Sequence, residues 1–158
     1  MRVMVHVVGA QLQSKPVIWN LIQFYAHEFS EFTDQDVGDD GTYAYKHFDL
    51  YWIDADRHPY LFRHDGRLAG FAFVHSGQPH DMAEFFIMKK YRRGGLGMDA
   101  AHQLFALHPG AWQVRQMAAN GRATAFWHRA IPVPFEEVVD DHGPRQLFRI
   151  EPSGIEGP

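Results

Sequence analysis

The chain has 158 residues, of which 46% are hydrophobic and 22% charged, with a formal net charge of −4 and no cysteine. That size suits one domain with a sizeable core, and the mild negative charge offers no general attraction to nucleic acid or to an anionic membrane. The missing cysteine removes disulfides, thiolate metal sites and a cysteine nucleophile.

An apolar run from Val3 to Val8, interrupted by His6, reads as a first strand over residues 2–8. It is too short for a signal-peptide core, and no later stretch approaches the roughly 20 apolar residues of a membrane helix. The cytoplasm is therefore the expected location. Ser14 is placed to cap a helix over 15–29, whose Val17, Ile18, Leu21, Ile22, Tyr25 and Phe29 fall on one face. Residues 30–42 are acidic and loop-like, and a short helix or turn is expected through 46–53.

Two strands, 60–64 and 67–75, flank Asp65-Gly66, a pair that supplies the turn angles matching strand twist. A further strand over 82–88 runs into a basic, glycine-rich loop, and an amphipathic helix over 97–107 follows, stopped by Pro109-Gly110. A strand over 111–117 leads to Asn120-Gly121 and a helix ended by Pro132 and Pro134. Strands over 135–139 and 146–150 close the pattern β-α-α-β-β-β-α-β-α-β-β. A single domain over 1–151 with a frayed tail over 152–158 is expected.

The stretch from Glu84 to Gly97 carries the chemistry. It is an apolar strand, then Lys89, Lys90, Arg92 and Arg93, then Gly94-Gly95-Leu96-Gly97 opening a helix. Backbone N–H groups at such a helix start point at an anion, and the helix dipole assists. Arginine adds charge-assisted bonds to the same oxygens. Two other glycine motifs are excluded. Gly95-x-Gly97-x-x-Ala100 fits the dinucleotide fingerprint, but no acid stands about 20 residues on. A phosphate loop of the Walker type needs a lysine where Met98 stands.

Arg92-Arg93-Gly94-Gly95-Leu96-Gly97 fits Arg/Gln-x-x-Gly-x-Gly/Ala and resembles the acyl-CoA-binding motif of the GNAT superfamily, the acetyl-CoA-dependent N-acetyltransferases. The element order along nearly the whole chain resembles that family too. The resemblance implies an α/β fold with a mixed, twisted sheet, helices on both faces, and a gap between the strand before the loop and the next. It also implies acetyl-CoA as cosubstrate, direct transfer to an amine in a ternary complex, and frequent pairing of two copies.

Carried onto this sequence, the resemblance makes Glu84 the general base and Ile87 or Met88 the donor of a backbone N–H to the developing oxyanion. Main-chain groups of Phe86 and Met88 would hold the pantetheine arm. The N–H groups from Arg93 through Gly94, Gly95, Leu96 and Gly97, with the guanidinium of Arg92 or Arg93, would hold the pyrophosphate. Asn120 is either a pantetheine contact or a plain helix cap.

His75 and His80 are weaker base candidates. Three departures stand out: Trp127 follows Phe126 where the family commonly has an acidic tyrosine, and Gly94 and Met98-Asp99 replace common basic residues. Tyr91 and Tyr25 are the remaining phenols considered for the acid. The Trp127 departure keeps a second reading alive, a CoA-binding sensor without turnover.

The acidic run 31–40 reads first as a solvated surface, and Phe29, Phe32, Tyr43, Tyr45, Tyr51 and Trp52 read first as core. The eleven histidines show no metal-ligand spacing, so no metal is expected. The acceptor amine is not legible in the sequence.

Overall fold

A computed structural model describes residues 4–153. The strands are β1 (His6–Gly9), β2 (Arg57–His64), β3 (Arg67–His75), β4 (His80–Ile87), β5 (Gly110–Arg115), β6 (Glu136–Asp140) and β7 (Gly143–Ile150). The helices are α1 (Lys15–Thr33), α2 (Leu96–Leu107) and α3 (Gly121–Ala130). Short 3-10 turns occupy Leu12–Ser14, Phe48–Trp52 and Lys89–Tyr91. The expected second helix is thus only the 3-10 turn at Phe48–Trp52.

All seven strands form one sheet in the order β1-β2-β3-β4-β5-β7-β6. Every neighbouring pair is antiparallel except β4 and β5, which are parallel. The β2–β3 hairpin turns at Asp65 and Gly66, whose φ angles of 50° and 79° are those the Asp-Gly pair was expected to supply.

Strand alternation divides the core into two layers. On one face Ile18, Leu21 and Ile22 of α1 pack on Leu61, Phe71, Phe73 and Phe86. On the other, Leu96, Ala101, Leu104 and Phe105 of α2, with Trp127 and Ala130 of α3, pack on Phe62, Ala72, Trp112 and Val114. Neighbouring residues of β4 therefore serve opposite layers: Phe86 faces α1, and Ile87 faces α2.

Several boundaries differ from the sequence reading: β2 begins at Arg57 rather than 60, β4 at His80 rather than 82 and β7 at Gly143 rather than 146, and β5 ends at Arg115 rather than 117. The helix expected to end at Phe29 runs one turn further, to Thr33, with Asp34 left-handed (φ 57°) as its C-cap. Ser14 sits before α1 with helical angles and makes no capping bond, because the preceding 3-10 turn already winds the chain into the helix. The first strand was expected from residue 2, and residues 2–3 lie outside the described residues, as does most of the expected tail (154–158).

No helix among the described residues is long and apolar enough to cross a membrane.

Candidate active site

β4 and β5 are in register at only two positions, His80 with Trp112 and Asp81 with Gln113. Beyond Asp81 the strands part, while β4 continues to Ile87 and stays paired to β3. The gap between them is flanked by Phe85, which stacks on Phe126 at 5.6 Å and meets Trp127 in a T-shaped contact at 5.0 Å.

Strand parity decides which main-chain groups enter the gap. Met88 N–H donates to Ala69 O at 2.8 Å, which makes this a hydrogen-bonded pair of the antiparallel ladder. Such pairs alternate, so with Phe86 opposite Phe71 and Glu84 opposite Phe73, the N–H and C=O groups of Glu84 and Phe86 are also bonded to β3. Those of Phe85, and the N–H of Ile87, point the other way, into the gap, while Ile87 O accepts from Arg92 Nε. This corrects the assignment of Phe86 and Met88 as backbone partners of an extended ligand: the main chain of Phe86 is paired with β3, and Met88 gives its N–H to Ala69 O and its carbonyl to Tyr91 N–H at 2.9 Å. Of the two oxyanion donors considered, Ile87 keeps a free N–H and Met88 does not.

The loop at the mouth of the gap runs through the 3-10 turn Lys89–Tyr91 into α2. Gly95 is the N-cap of α2 in the left-handed conformation (φ 83°, ψ 0°), and no side chain caps the helix. A residue with a Cβ meets a steric penalty there, and glycine does not. The first backbone bond of the helix is Asp99 N–H to Gly95 O at 3.0 Å. The N–H groups of the preceding first-turn residues, Leu96 and Gly97 among them, have no acceptor within the helix. They form a positive, donor-rich end next to exposed Arg93, Gly94 and Gly95.

Arg92 is turned away from that end. Its two terminal nitrogens donate to Glu28 of α1 at 2.7 and 2.8 Å, and Nε donates to Ile87 O at 2.8 Å. Of the two guanidiniums expected to serve a phosphate, only that of exposed Arg93 has no partner among the described residues. Asp99 has an equally definite use: its Oδ2 accepts from Met4 N and Val5 N at 3.0 and 3.1 Å, fastening the residues before β1 to α2.

Glu84 projects from β4 toward α1. Its Oε1 accepts from Tyr25 Oη at 2.6 Å and its Oε2 from Tyr45 Oη at 2.7 Å. Burial raises its pKa, the two phenol hydrogen bonds pull it down, and nearby Asp81 adds to the rise; the net direction is upward. The same burial, reinforced by the Glu84 charge, pushes Tyr25 and Tyr45 well above the ordinary phenol range. Both phenols therefore donate hydrogen bonds and are not acids near neutral pH. Sequence reasoning placed Tyr25 on the apolar face of the first helix and considered it as a general acid, and read Tyr45 as a core aromatic. Neither carries a local signal for its bond to Glu84, since they lie 59 and 39 residues away.

Tyr45 is held in place by a strap. Gln23 of α1 donates to Tyr43 O at 3.1 Å and accepts from Tyr43 N at 2.7 Å, and Gln35 donates to Ala44 O at 3.2 Å. The acidic residues before this strap are exposed, and Asp40 bonds locally to Thr42. Tyr51 stacks on Phe73 at 3.9 Å, and Trp52 donates to Ala10 O at 3.0 Å, so both are core residues. Between α1 and the end of β4 runs a groove of about 610 Å³ lined by Phe24, His27, Glu28, Phe86, Met88 and Lys89.

The other named residues fall away from the gap or into structural work. Asn120 caps α3 by accepting from Ala123 N at 3.1 Å. Trp127 is 6% exposed and packs among Phe85, Phe105 and Phe126. Tyr91 lies against His64 in a T-shaped contact at 5.8 Å. His75 bonds to Asp56 at 3.1 Å, and His80 is held between Gly77 N–H and Pro109 O at 3.0 and 2.9 Å. Both histidines sit at the closed end of β4. Among the described residues no group of three or more His, Asp or Glu side chains is placed to hold a metal ion.

The sequence model of the acetyltransferase (GNAT) family matches residues 20–130. The chain belongs to this family. Solved structures share its architecture: an acetyltransferase from Thermus thermophilus (14% identity, 93% of this chain and 97% of that one, TM-score 0.68) and the ribosomal-protein-S18-alanine N-acetyltransferase of Escherichia coli (14%, 96% and 97%, TM-score 0.63). A third is the PaiA N-acetyltransferase of Thermoplasma acidophilum in complex with coenzyme A (7%, 92% and 98%, TM-score 0.65). At these identities the likeness speaks for the fold. No curated protein matches the sequence. The GNAT fold expected from the element order is the fold observed.

Proposed function

We propose that this GNAT chain transfers an acetyl group from acetyl-CoA to an amine in a ternary complex, with Glu84 as the general base. The observation that carries the reading is the parting of β4 from β5 beyond Asp81, with the uncapped start of α2 at its mouth.

The residues present suit an acyl-CoA. Phe85 offers its main-chain N–H and C=O and Ile87 its N–H along one wall, to which an extended arm can bond as an added strand would, while Ile87 O is taken by Arg92. The N–H groups at the start of α2, with Arg93, suit a pyrophosphate. Bound there, acetyl-CoA supplies the activated acyl carbonyl.

The chain supplies the rest. The acceptor must lose a proton, because an alkylammonium has a pKa of about 10.4. Glu84 accepts that proton, directly or through one water, and its upward-shifted pKa brings it nearer the operating pH. Ile87 N–H, free of β3, donates to the oxygen on which negative charge develops. Trp127 is a core side chain without an acidic proton, so α3 contributes no phenol to the departing sulfur. The amine enters from the α1 side of β4, toward which Glu84 projects and where the groove lined by Phe86 and Met88 lies.

Thermal melting with acetyl-CoA, CoA, ATP and NAD tests the cosubstrate. A ligand that binds only the folded state raises Tm by mass action. A rise confined to acetyl-CoA and CoA is expected, and no rise at concentrations far above micromolar removes the reading. Glu84→Gln then separates a catalyst from a sensor: it should lose acetyl transfer by roughly 10²–10⁴-fold while keeping the melting shift.

A further inference from the structure

We propose that Tyr25 and Tyr45 are positioning residues, which together hold Glu84 as an oriented carboxylate and so keep it competent as a base. The catalytic part of this inference rests on the acetyltransferase reading; the electrostatic part stands on the site alone.

The geometry is that of a clamp. Each carboxylate oxygen receives one phenol O–H, Oε1 from Tyr25 at 2.6 Å and Oε2 from Tyr45 at 2.7 Å. The two rings are fixed independently. Tyr25 packs on Phe71 and Phe86 at 5.6 and 5.5 Å. Tyr45 sets its ring against Phe73 at 5.6 Å, and Phe73 is the β3 residue opposite Glu84. The donors come from α1 and from the strap after it, so the carboxylate cannot rotate without breaking a bond to one of two anchored elements. Hydrogen bonds from phenols to a carboxylate favour the ionised form.

Among the described residues no cation bonds to Glu84. The charged or titratable groups that face the clamp are Asp81 on the same strand, Tyr51 of the 3-10 turn, Arg57 of β2 and Glu28 of α1. Asp81 opposes ionisation of Glu84. The two phenols are thus the groups that oppose burial. Without them Glu84 would hold its proton to higher pH, and a protonated carboxyl cannot accept one from an amine. The remaining lone pairs of the same oxygens are left for the acceptor or a bridging water.

The test is the titration of the Glu84 side-chain carboxyl, followed by carbon-13 NMR of the full chain without cosubstrate and assigned with Glu84→Gln. Tyr25→Phe and Tyr45→Phe each remove one O–H and keep the ring. Each should raise the titration midpoint by about one pH unit, the scale of one charge-assisted hydrogen bond. The rising limb of kcat/KM against pH should move by the same amount, with KM for acetyl-CoA unchanged. A midpoint that stays put or falls in the single variants overturns the clamp, as does a shifted midpoint with an unmoved rate limb. If Tyr25→Phe fails to fold, Tyr45→Phe decides alone, since its residue lies outside the helices and strands. A shifted midpoint in a chain that acetylates no amine overturns the acetyltransferase reading instead, because the titration is read with no cosubstrate present.

Discussion

Arg92 and Glu28 face each other in a two-pronged ion pair, at 2.7 and 2.8 Å, across 64 residues of sequence. The pair ties the glycine loop to α1, and the third nitrogen of the same guanidinium holds the last carbonyl of β4. Glu28→Gln should lower stability by about 1 kcal/mol, the modest value suited to a half-buried pair. Arg92→Lys should cost at least as much, because a single ammonium cannot reproduce the fork and reach Ile87 O as well. Urea unfolding at neutral pH checks both, and equal stability of all three chains would refute the tether. The bonds to Arg92 hold the Glu28 carboxyl below the ordinary carboxylate range. Its contribution is therefore full above that range and is lost as pH falls through the depressed value.

Acid should also act at the closed end of the sheet. His58, His80 and His108 cluster there, with ring centroids 4.7 Å apart for His58–His108 and 5.7 Å for His80–His108. Burial first, and then the neighbouring imidazoles, lower His108 to about 4, and burial lowers His58 as well. A depressed histidine means that the unfolded chain binds more protons between about 6.5 and 4. Stability is thus full above about 6.5 and falls through that window, by roughly 1–3 kcal/mol. Urea midpoints at about pH 7.5 and about pH 5, on either side of the ordinary histidine range, should show the loss, and His108→Gln should flatten it. An equal slope in the variant would place the acid sensitivity elsewhere.

Two glycines should respond in opposite ways to a single methyl group. A Cβ on Gly70 would lie 2.0 Å from Phe86 O and 3.1 Å from Ile87 Cα, both backbone atoms. Gly70→Ala must push β3 off β4 and should cost more than about 3 kcal/mol or abolish soluble expression. A Cβ on Gly94 meets nothing within 4 Å. Gly94→Ala should leave Tm of the free chain nearly unchanged, within about 0.5 kcal/mol, and reduce the shift produced by acetyl-CoA.

Gln23→Ala should separate the strap from the clamp. It removes both bonds to the Tyr43 backbone and leaves Tyr25 untouched. A stability loss of about 1–2 kcal/mol is expected from the orphaned groups, with a lower kcat and an unchanged KM for acetyl-CoA as Tyr45 loses its seat. Full activity in this variant would show that Tyr45 keeps its place without the Gln23 bonds, through its ring packing and the Gln35 bond to Ala44 O.

What the sequence disclosed follows from how local each signal is. The Asp65-Gly66 turn, the basic glycine loop and the apolar face of α1 are written in a few consecutive residues, and all three appear where expected. The N-cap of α3 by Asn120 is equally local. The partners of Glu84 and Arg92 are brought together only by the packing of α1 on β4, and no spacing rule reaches 59 or 64 residues. The choice between Ile87 and Met88 depends on strand parity, which is set by the pairing with β3 and is invisible in β4 itself. Ser14 had the right chemistry for a cap, but the 3-10 turn before it supplies the entry to α1.

Where β4 leaves β5, a strand in the middle of a seven-stranded sheet acquires the character of an edge. Its amides should not exchange with solvent as a block. Glu84 and Phe86, bonded to β3, should be protected, while Phe85 and Ile87 exchange faster, giving an alternating pattern along one strand. Exposed edges recruit further strands and invite aggregation. Here the edge is sunk between α2, α3 and the flanking aromatics, so it can welcome a single narrow chain and little else.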